Sequence, residues 1–240
     1  MTSRSKNARV AGLLYILASV VGIVRLMYIP NALFVYGDAT ATANNIAAHE
    51  SLFRWGIVSQ LVGYILWLFV PLALYRLLKD VDRELAALMV ILGSLMQVPI
   101  AFFNMMNDAA ALMLVRGGDF LSVFEKPQRD ALARLFLNLH HQVDLANLIF
   151  AGLWLLPFGL LVYRSRFLPR FLGVWLMAAC FAWLAFSFTG LLLPEHEDKV
   201  LKIGQIFMQG EVVTMLWLVI MGAKDQRMQV TLGDLKEFVG

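Results

Sequence analysis

Six long apolar segments, separated by shorter polar ones, organise this chain. They cover residues 10–29, 55–75, 85–115, 133–163, 171–193 and 203–221. Each is close to, or longer than, the stretch of about 20 apolar residues that an α-helix needs to cross a bilayer. The pattern predicts an all-α polytopic integral membrane bundle of six transmembrane helices. We expect a single domain, residues 1–240, that ends in a polar tail over residues 223–240.

Polar residues interrupt the fourth segment, Ala133–Tyr163, in its first half. They are Asn138, His140, His141, Gln142, Asp144 and Asn147. Insertion scales put the cost of one charged side chain at the centre of a membrane helix at about 2.5 to 3.5 kcal/mol, so this half must face protein or water. His140, Asp144 and Asn147 share one helical face because of their spacing. We therefore predict that His140, rather than His141, points into a polar chamber.

Polar side chains on three other segments fall at a similar depth when the helices are followed in alternating directions. Arg25 lies near the outer end of the first segment, and Glu211 lies near the middle of the sixth. Because an unpaired charge at such a depth is costly, we expect Arg25 to have a carboxylate partner. The candidates for that partner are Asp108, Asp144 and Glu211. The predicted cluster, which opens outward, comprises Arg25, Asn104, Asp108, His140, Asp144, Asn147 and Glu211.

Composition agrees with the membrane class. The 240 residues are 60% hydrophobic and 15% charged, with a mean hydropathy of +0.71. The net charge of +3 would be compatible with nucleic-acid binding, but the basic residues lie scattered at segment ends rather than in one patch. We therefore expect no nucleic-acid partner. The single cysteine, Cys180, excludes an internal disulfide.

The distribution of Lys and Arg predicts the orientation, because cytoplasmic loops carry an excess of these residues. With a cytoplasmic amino terminus, twelve of the twenty fall inside: Arg4, Lys6, Arg9, Arg76, Lys79, Arg83, Arg164, Arg166, Arg170, Lys224, Arg227 and Lys236. The other eight fall outside: Arg25, Arg54, Arg116, Lys126, Arg129, Arg134, Lys199 and Lys202. We therefore predict a multi-pass protein of the cell membrane with both termini in the cytoplasm.

The first outer loop is too regular to be coil and predicts a short interfacial helix. Asp38 is its expected N-cap, since an aspartate side chain accepts hydrogen bonds from the free N–H groups of a first helical turn. Four residues of this loop fall near one helical face: Ala39, Thr42, Ile46 and Phe53.

Three prolines and one charge pair give local expectations. Pro127 suits a first helical position, and Asp130 is spaced to pair with Arg134 one turn later. Pro99 and Pro157 lie inside the third and fourth segments, where proline kinks a membrane helix without ending it.

The polar cluster admits three functions. It could be structural, with ion pairs that hold helices together. It could instead bind a small molecule or a proton for sensing or transport. The third alternative is a metal-dependent membrane hydrolase that uses His140, Asp144, Asp108 and Glu211, since zinc takes three or four such ligands.

The sequence favours the first two functions over an enzyme. It has no HExxH motif, and the adjacent His140 and His141 point about 100° apart on a helix. We therefore expect no metal and no cofactor. The expected partners are the lipid bilayer and a small molecule or proton.

Several stretches of the chain resemble the bacterial domain-of-unknown-function 4386 family. They are GDATATANNI from Gly37, LFRWGIV from Leu52, LYRLLKDVDRELA from Leu74, LFLNLHHQ from Leu135 and YRSRFLPRFLGV from Tyr163. The residues that match the family pattern are Asp38, Asn45, Arg54, Leu78, His140, Ser165, Pro169 and Gly173. The resemblance covers nearly the whole chain and implies a multi-pass membrane protein, usually of bacterial origin. It implies no catalytic role for any residue.

Overall fold

The computed structural model describes residues 3–223, and for Leu26 it describes only the backbone. This part of the chain is helical and contains no β-strand. The α-helices are α1 (Ser3–Ile23), α2 (Ile29–Leu33), α3 (Ala39–Ala48), α4 (Glu50–Leu78), α5 (Arg83–Val90), α6 (Gln97–Arg116), α7 (Lys126–Leu153), α8 (Leu155–Arg164), α9 (Arg170–Leu192) and α10 (Glu197–Ile220). Two π-helices, Val24–Tyr28 and Ile91–Met96, and two 3₁₀ turns, Asp119–Leu121 and Pro194–His196, complete the order.

Six helical spans within the described residues are long and apolar enough to cross a membrane. They are Ser3–Ile23, Glu50–Leu78, Arg83–Arg116, Lys126–Arg164, Arg170–Leu192 and Pro194–Ile220. The predicted all-α polytopic bundle is therefore confirmed. Most of the spans extend beyond their predicted bounds, because polar end turns continue the helix past the apolar stretch. The predicted polar tail lies outside the described residues, apart from Ala223.

The outside of the bundle is apolar, as hydrocarbon contact requires. Phe103, Ile206 and Ile220 are 74%, 69% and 66% exposed, respectively. Exposed apolar surface on this scale marks a membrane or interaction surface rather than a surface that faces water.

The interior is built on close helix contacts and on aromatic rings. A Cβ added at Gly173 of α9 would lie 2.6 Å from the carbonyl oxygen of Gly159 on α8. Only a residue without a side chain allows these two backbones to approach so closely. Nearby, the fully buried Trp154 stacks on Phe158 with ring centroids 5.4 Å apart.

Both described ends of the chain lie at the same side of the bundle. Arg9 Nη2 donates a hydrogen bond to the carbonyl of Ile220 at 3.4 Å. On the same side, Asp82, just before the third span, forms an ion pair of 3.1 Å with Arg164, at the end of the fourth span. We call this side the terminal face. The opposite side, which carries α3 and the two 3₁₀ turns, is called the cavity face.

The interfacial helix is present as α3, with the expected cap. The Asp38 side chain accepts a hydrogen bond from the Ala41 N–H at 2.8 Å. Thr42 and Ile46 are buried on its inner face. Phe53 is also buried but belongs to α4, since the chain leaves helical geometry at His49. The prediction that Phe53 shares one helical face with Thr42 and Ile46 is therefore wrong.

The predicted pair of Asp130 with Arg134 is wrong, because Asp130 pairs with Lys126 at 2.7 Å. Lys126 also donates to the Asn44 side chain on α3 at 3.0 Å, so the lysine bridges two helices. Arg134 lies over the ring of Tyr36 at 6.0 Å instead. Pro127 lies in the first turn of α7, which begins one residue earlier than expected.

Regular α-helical geometry is interrupted next to both expected prolines. The second π-helix ends at Met96, just before Pro99. Trp154 separates α7 from α8 ahead of Pro157, yet the Phe158 N–H still donates to the Trp154 carbonyl at 3.2 Å. Proline has no N–H for the carbonyl four residues before it, which accounts for both interruptions. The chain continues as a helix beyond each of them.

Candidate functional site

Arg25 and Asp108 form the centre of the polar cluster. Arg25 lies in the first π-helix, a geometry that often occurs at functional positions. Its Nε and Nη2 donate to the two carboxylate oxygens of Asp108 at 2.9 and 2.7 Å. The arginine is 5% exposed and the aspartate is fully buried. The predicted carboxylate partner of Arg25 is therefore confirmed, and it is Asp108, held by the two-pronged geometry that favours arginine in buried pairs.

His140 lies between two carboxylates. Its Nδ1 is 3.3 Å from Asp108 Oδ1, and its Nε2 is 3.2 Å from Asp144 Oδ2. These are ion-pair distances, but neither ring nitrogen meets hydrogen-bond geometry with any described residue. We therefore treat both as electrostatic contacts rather than as hydrogen bonds.

The formal charges of this cluster do not balance with a neutral imidazole. The guanidinium of Arg25 and the carboxylates of Asp108 and Asp144 leave one excess negative charge. A cationic group bound beside Asp144 would make the arrangement electrically neutral.

Asn104 ties α6 to α7 beside these charges. Its Nδ2 donates to Asp144 Oδ1 at 2.8 Å and to the His140 carbonyl at 2.9 Å. Asn107, which the sequence prediction missed, donates to Asn104 Oδ1 at 2.9 Å and so holds the amide in this orientation. Asn104 thus fixes one oxygen of the Asp144 carboxylate, while part of this side chain remains exposed.

The two remaining predicted residues lie apart from this network. Asn147 is one turn further along α7 and donates to the Gln97 carbonyl at 3.4 Å. Glu211 is bonded instead to Tyr15 and Trp183. Tyr15 lies in α1 and precedes Arg25, in the π-helix that continues α1, by ten residues, which is about 15 Å of helix.

Glu211 was predicted to belong to the outward-opening cluster, but the structure places it elsewhere. Its helix, α10, packs on α1 and α9 rather than on α6 and α7, so a similar depth along the span did not bring Glu211 to the cluster.

A cavity of about 510 Å³ adjoins the cluster at the cavity face. Its lining comes from the first π-helix, α2 and the loop after it, α4, α7, the second 3₁₀ turn and the start of α10. The lining residues are Arg25, Pro30, Asn31, Phe34, Tyr36, Gln60, Arg134, Leu137, Asn138, His140, His141, Asp144, Pro194, Glu197 and Asp198. Tyr36 is 95% exposed, so the cavity reaches the surface. The polar chamber predicted from the sequence corresponds to this cavity, which opens at the cavity face.

Asp144 is the anionic group that the cluster presents to the cavity. Its side chain is 28% exposed, whereas that of Asp108 is fully buried. At the rim of the cavity, His141 Nε2 lies 3.5 Å from Glu197 Oε2, so the last span contacts the fourth there. Within the cluster, Asp108 is therefore closed to the cavity, whereas Arg25, His140 and Asp144 line it. Asp144 is the most exposed of these three.

Sequence reasoning missed most of the cavity lining. Glu197 and Asp198 stand in the first turn of α10, directly after a proline turn, and two acids there were a readable signal for the end of a span. Gln60 gave less signal, since a single amide in a long apolar helix has no distinctive spacing. What brings these residues to His140 is the packing of separate spans.

The four proposed metal ligands do not converge. Among residues 3–223 there is no group of three or more His, Cys, Asp or Glu side chains placed to hold a metal ion. Both oxygens of Asp108 accept hydrogen bonds from Arg25, and Glu211 accepts from Tyr15 and Trp183 instead. The geometry therefore gives no support to the hydrolase alternative.

The described spans, with an ion-paired cluster buried among them, define a multi-pass helical membrane protein. A family model described as Domain of unknown function (DUF4386) matches residues 10–222 of the 240. The chain belongs to this family, which confirms the resemblance seen in its sequence. No curated protein and no solved structure matches the chain.

Several residues that carried the resemblance have clear structural tasks. Asp38 caps α3, and Asn45 donates to the carbonyl of the last residue of α2 at 3.1 Å. Ser165 accepts a hydrogen bond from a backbone N–H in the turn before α9 at 3.3 Å. Gly173 permits the close approach of α8 and α9. His140 differs from these four, because it lines the cavity.

Proposed function

We propose that the cavity binds a small solute that carries a positive charge, and that the protein senses or transports this solute. The observation that carries the proposal is the position of Asp144. This carboxylate is held by Asn104 inside the cluster, and it is also exposed to the cavity. It is placed to accept a cationic group.

The charge of the lining supports a cationic solute. Three carboxylates line the cavity, those of Asp144, Glu197 and Asp198, against the two guanidiniums of Arg25 and Arg134. The charge of Arg25 is already balanced by Asp108. A volume of about 510 Å³ falls within the roughly 300 to 1,000 Å³ typical of small-molecule sites.

Within this proposal the Arg25–Asp108 pair has the structural role. It is buried, two-pronged and closed to the cavity on the aspartate side. Such a pair fixes the relative position of two spans, and removing one partner leaves an uncompensated buried charge. The structural and the binding functions therefore belong to different parts of one cluster.

The proposed location is the cell membrane, with the cavity face outside the cell. Support comes from the excess of Lys and Arg that the sequence assigns to the terminal face. With this orientation the solute enters the cavity from the exterior.

Thermal unfolding of the purified chain in a non-ionic detergent tests the binding proposal. We would measure melting temperatures with choline or putrescine as cationic probes, with acetate as an anionic one and with glycerol as a neutral one. A cation that binds only the folded state stabilises it by about 2.7 kcal/mol at one hundred times its Kd. We expect stabilisation by at least one cation and none by acetate or glycerol.

Substitution of Asp144 by Asn should abolish the stabilisation, since the variant keeps the shape but loses the charge. The matched control is Asp80→Asn, which removes an exposed carboxylate at the terminal face. Stabilisation that survives in Asp144→Asn, or the absence of any effect of either cation on the unmodified chain, would contradict the proposal.

A further inference from the structure

A second polar site surrounds Glu211, midway along the spans and only partly buried. Trp183 Nε1 donates to Glu211 Oε1 at 2.6 Å, and the Tyr15 hydroxyl donates to Glu211 Oε2. The three residues come from α10, α9 and α1, so the carboxylate is held at the junction of three spans. This site shares no described residue with the cavity and does not depend on the function proposed for it.

The site lies at mid-membrane depth. Tyr15, Trp183 and Glu211 each fall in the central third of their helices, α1, α9 and α10. A carboxylate at this depth is expensive unless it is paired or neutral. It is therefore a candidate for a function rather than for mere packing.

No cation balances Glu211 among the described residues. Within that part of the chain no Lys, Arg or His side chain lies within ion-pair distance of this carboxylate, in contrast to Asp108, which has Arg25. Tyr15 is the titratable group that contacts it, and Trp183 does not titrate. A proton is thus the group that can neutralise this carboxylate.

The two donors suit both charge states of the carboxyl group. A tryptophan N–H can only donate, whereas a tyrosine hydroxyl can donate or accept. When Glu211 is ionised, both neighbours donate to it, as in the structure. When Glu211 takes up a proton on Oε2, the new O–H can donate to the Tyr15 oxygen while Trp183 continues to donate to Oε1.

Exchange of the proton needs no movement of the rings. The Tyr15 ring packs edge-on against Trp67 at 5.2 Å and lies tilted against Trp154 at 5.9 Å, which fixes its oxygen. Trp67 is itself anchored by a hydrogen bond from Nε1 to the Gly93 carbonyl at 2.9 Å. Only the hydroxyl hydrogen of Tyr15 has to rotate, and Tyr15 keeps that hydrogen throughout.

We infer that Glu211, with Tyr15 and Trp183, forms a mid-membrane site that takes up one proton from water in acid and returns it to water in alkali. The carboxyl group is the proton acceptor. Tyr15 is its reversible partner, and Trp183 holds the second oxygen in place.

Infrared difference spectroscopy on the full chain in lipid vesicles, recorded between acidic and alkaline buffer, tests this inference. We expect a carboxylic-acid C=O stretching band that is present in acid, absent in alkali and lost in Glu211→Gln. The matched control is Glu195→Gln, which changes an exposed glutamate at the cavity face and should leave the band unchanged. A band that survives in Glu211→Gln would assign the proton elsewhere and overturn the inference.

A second variant keeps the test decisive if Glu211→Gln does not fold. Tyr15→Phe removes the hydrogen-bond partner, so the band should persist but move to higher wavenumber, whereas Tyr75→Phe should not move it. A pH-independent band would mean a permanently neutral carboxyl group. Absence of the band at every pH would mean a permanently ionised one. Either result overturns the inference, as does an equal shift in the two tyrosine variants.

Discussion

His140 and His141 are adjacent in the sequence, yet one is buried and the other is exposed. His140 is 4% exposed and touches two carboxylates. The His141 side chain is 54% exposed, at the rim of the cavity. A rotation of about 100° between consecutive helical residues separates an interior position from a surface one.

We predict that His140→Leu destabilises the protein and that His141→Leu does not. Leucine at position 140 removes the polar ring that lies within 3.3 Å of Asp108 and 3.2 Å of Asp144, so an apolar group separates the two carboxylates. Destabilising point substitutions typically cost about 0.5 to 3 kcal/mol, and we expect a loss in the upper part of this range because the neighbours are charged. A surface change such as His141→Leu should stay within about 0.5 kcal/mol.

Thermal unfolding of both variants in the same detergent measures this difference. Equal losses of stability, or a larger loss for His141→Leu, would show that the inward-facing side of α7 is misassigned.

At the scale of elements, the Arg25–Asp108 pair joins the first span to the third. Its two hydrogen bonds connect the π-helix after α1 to α6 in the interior. A buried ion pair often adds little net stability compared with apolar residues of similar shape, but breaking it by removing one partner costs about 3 to 5 kcal/mol. We therefore expect the pair mainly to fix the relative position of the first π-helix and α6.

This argument predicts a non-additive pair of substitutions. Arg25→Met should lower the stability strongly, because Asp108 then remains buried without its cation. The double variant Arg25→Met with Asp108→Leu should recover most of that loss. Melting temperatures of the single and double variants test this prediction. A double variant that is less stable than Arg25→Met would contradict it.

Local sequence rules accounted well for single elements. Asp38 was expected to cap α3 and does so, since capping needs only one side chain and the next turn. The partner of Asp130 was mistaken, because Lys126 and Arg134 are both one turn away and the choice depended on Asn44 of another helix. Local chemistry limited the options, and a tertiary neighbour selected one of them.

At the scale of the whole molecule, the orientation in the membrane follows from which face carries the excess of positive charge. We predict that Glu195, at the cavity face, is outside the cell and that Asp80, at the terminal face, is inside. The single cysteine, Cys180, is buried and can be replaced by Ala to give a background for labelling.

In that background, Glu195→Cys should react with a membrane-impermeant maleimide in intact cells. Asp80→Cys should react only after the cells are lysed, and lysis also serves as the control that both thiols are reactive. Labelling of Asp80→Cys alone in intact cells would reverse the proposed orientation and place the cavity on the cytoplasmic side.

The sequence by itself determined the class of this protein, its spans and the need of Arg25 for a carboxylate. These follow from one physical fact, that hydrocarbon penalises charges and unpaired polar groups wherever they fall along a helix. The family resemblance gave the family of the chain but assigned no chemical role to any residue.

Only the tertiary structure decided that Asp108 pairs with Arg25, that Glu211 belongs to a separate site with Tyr15 and Trp183, and that residues of several spans enclose a cavity. Sequence position fixes the depth of a residue, because each helical residue rises about 1.5 Å. It does not fix which helices become neighbours. That arrangement depends on the packing of all the spans together, as where Gly159 and Gly173 let α8 and α9 approach.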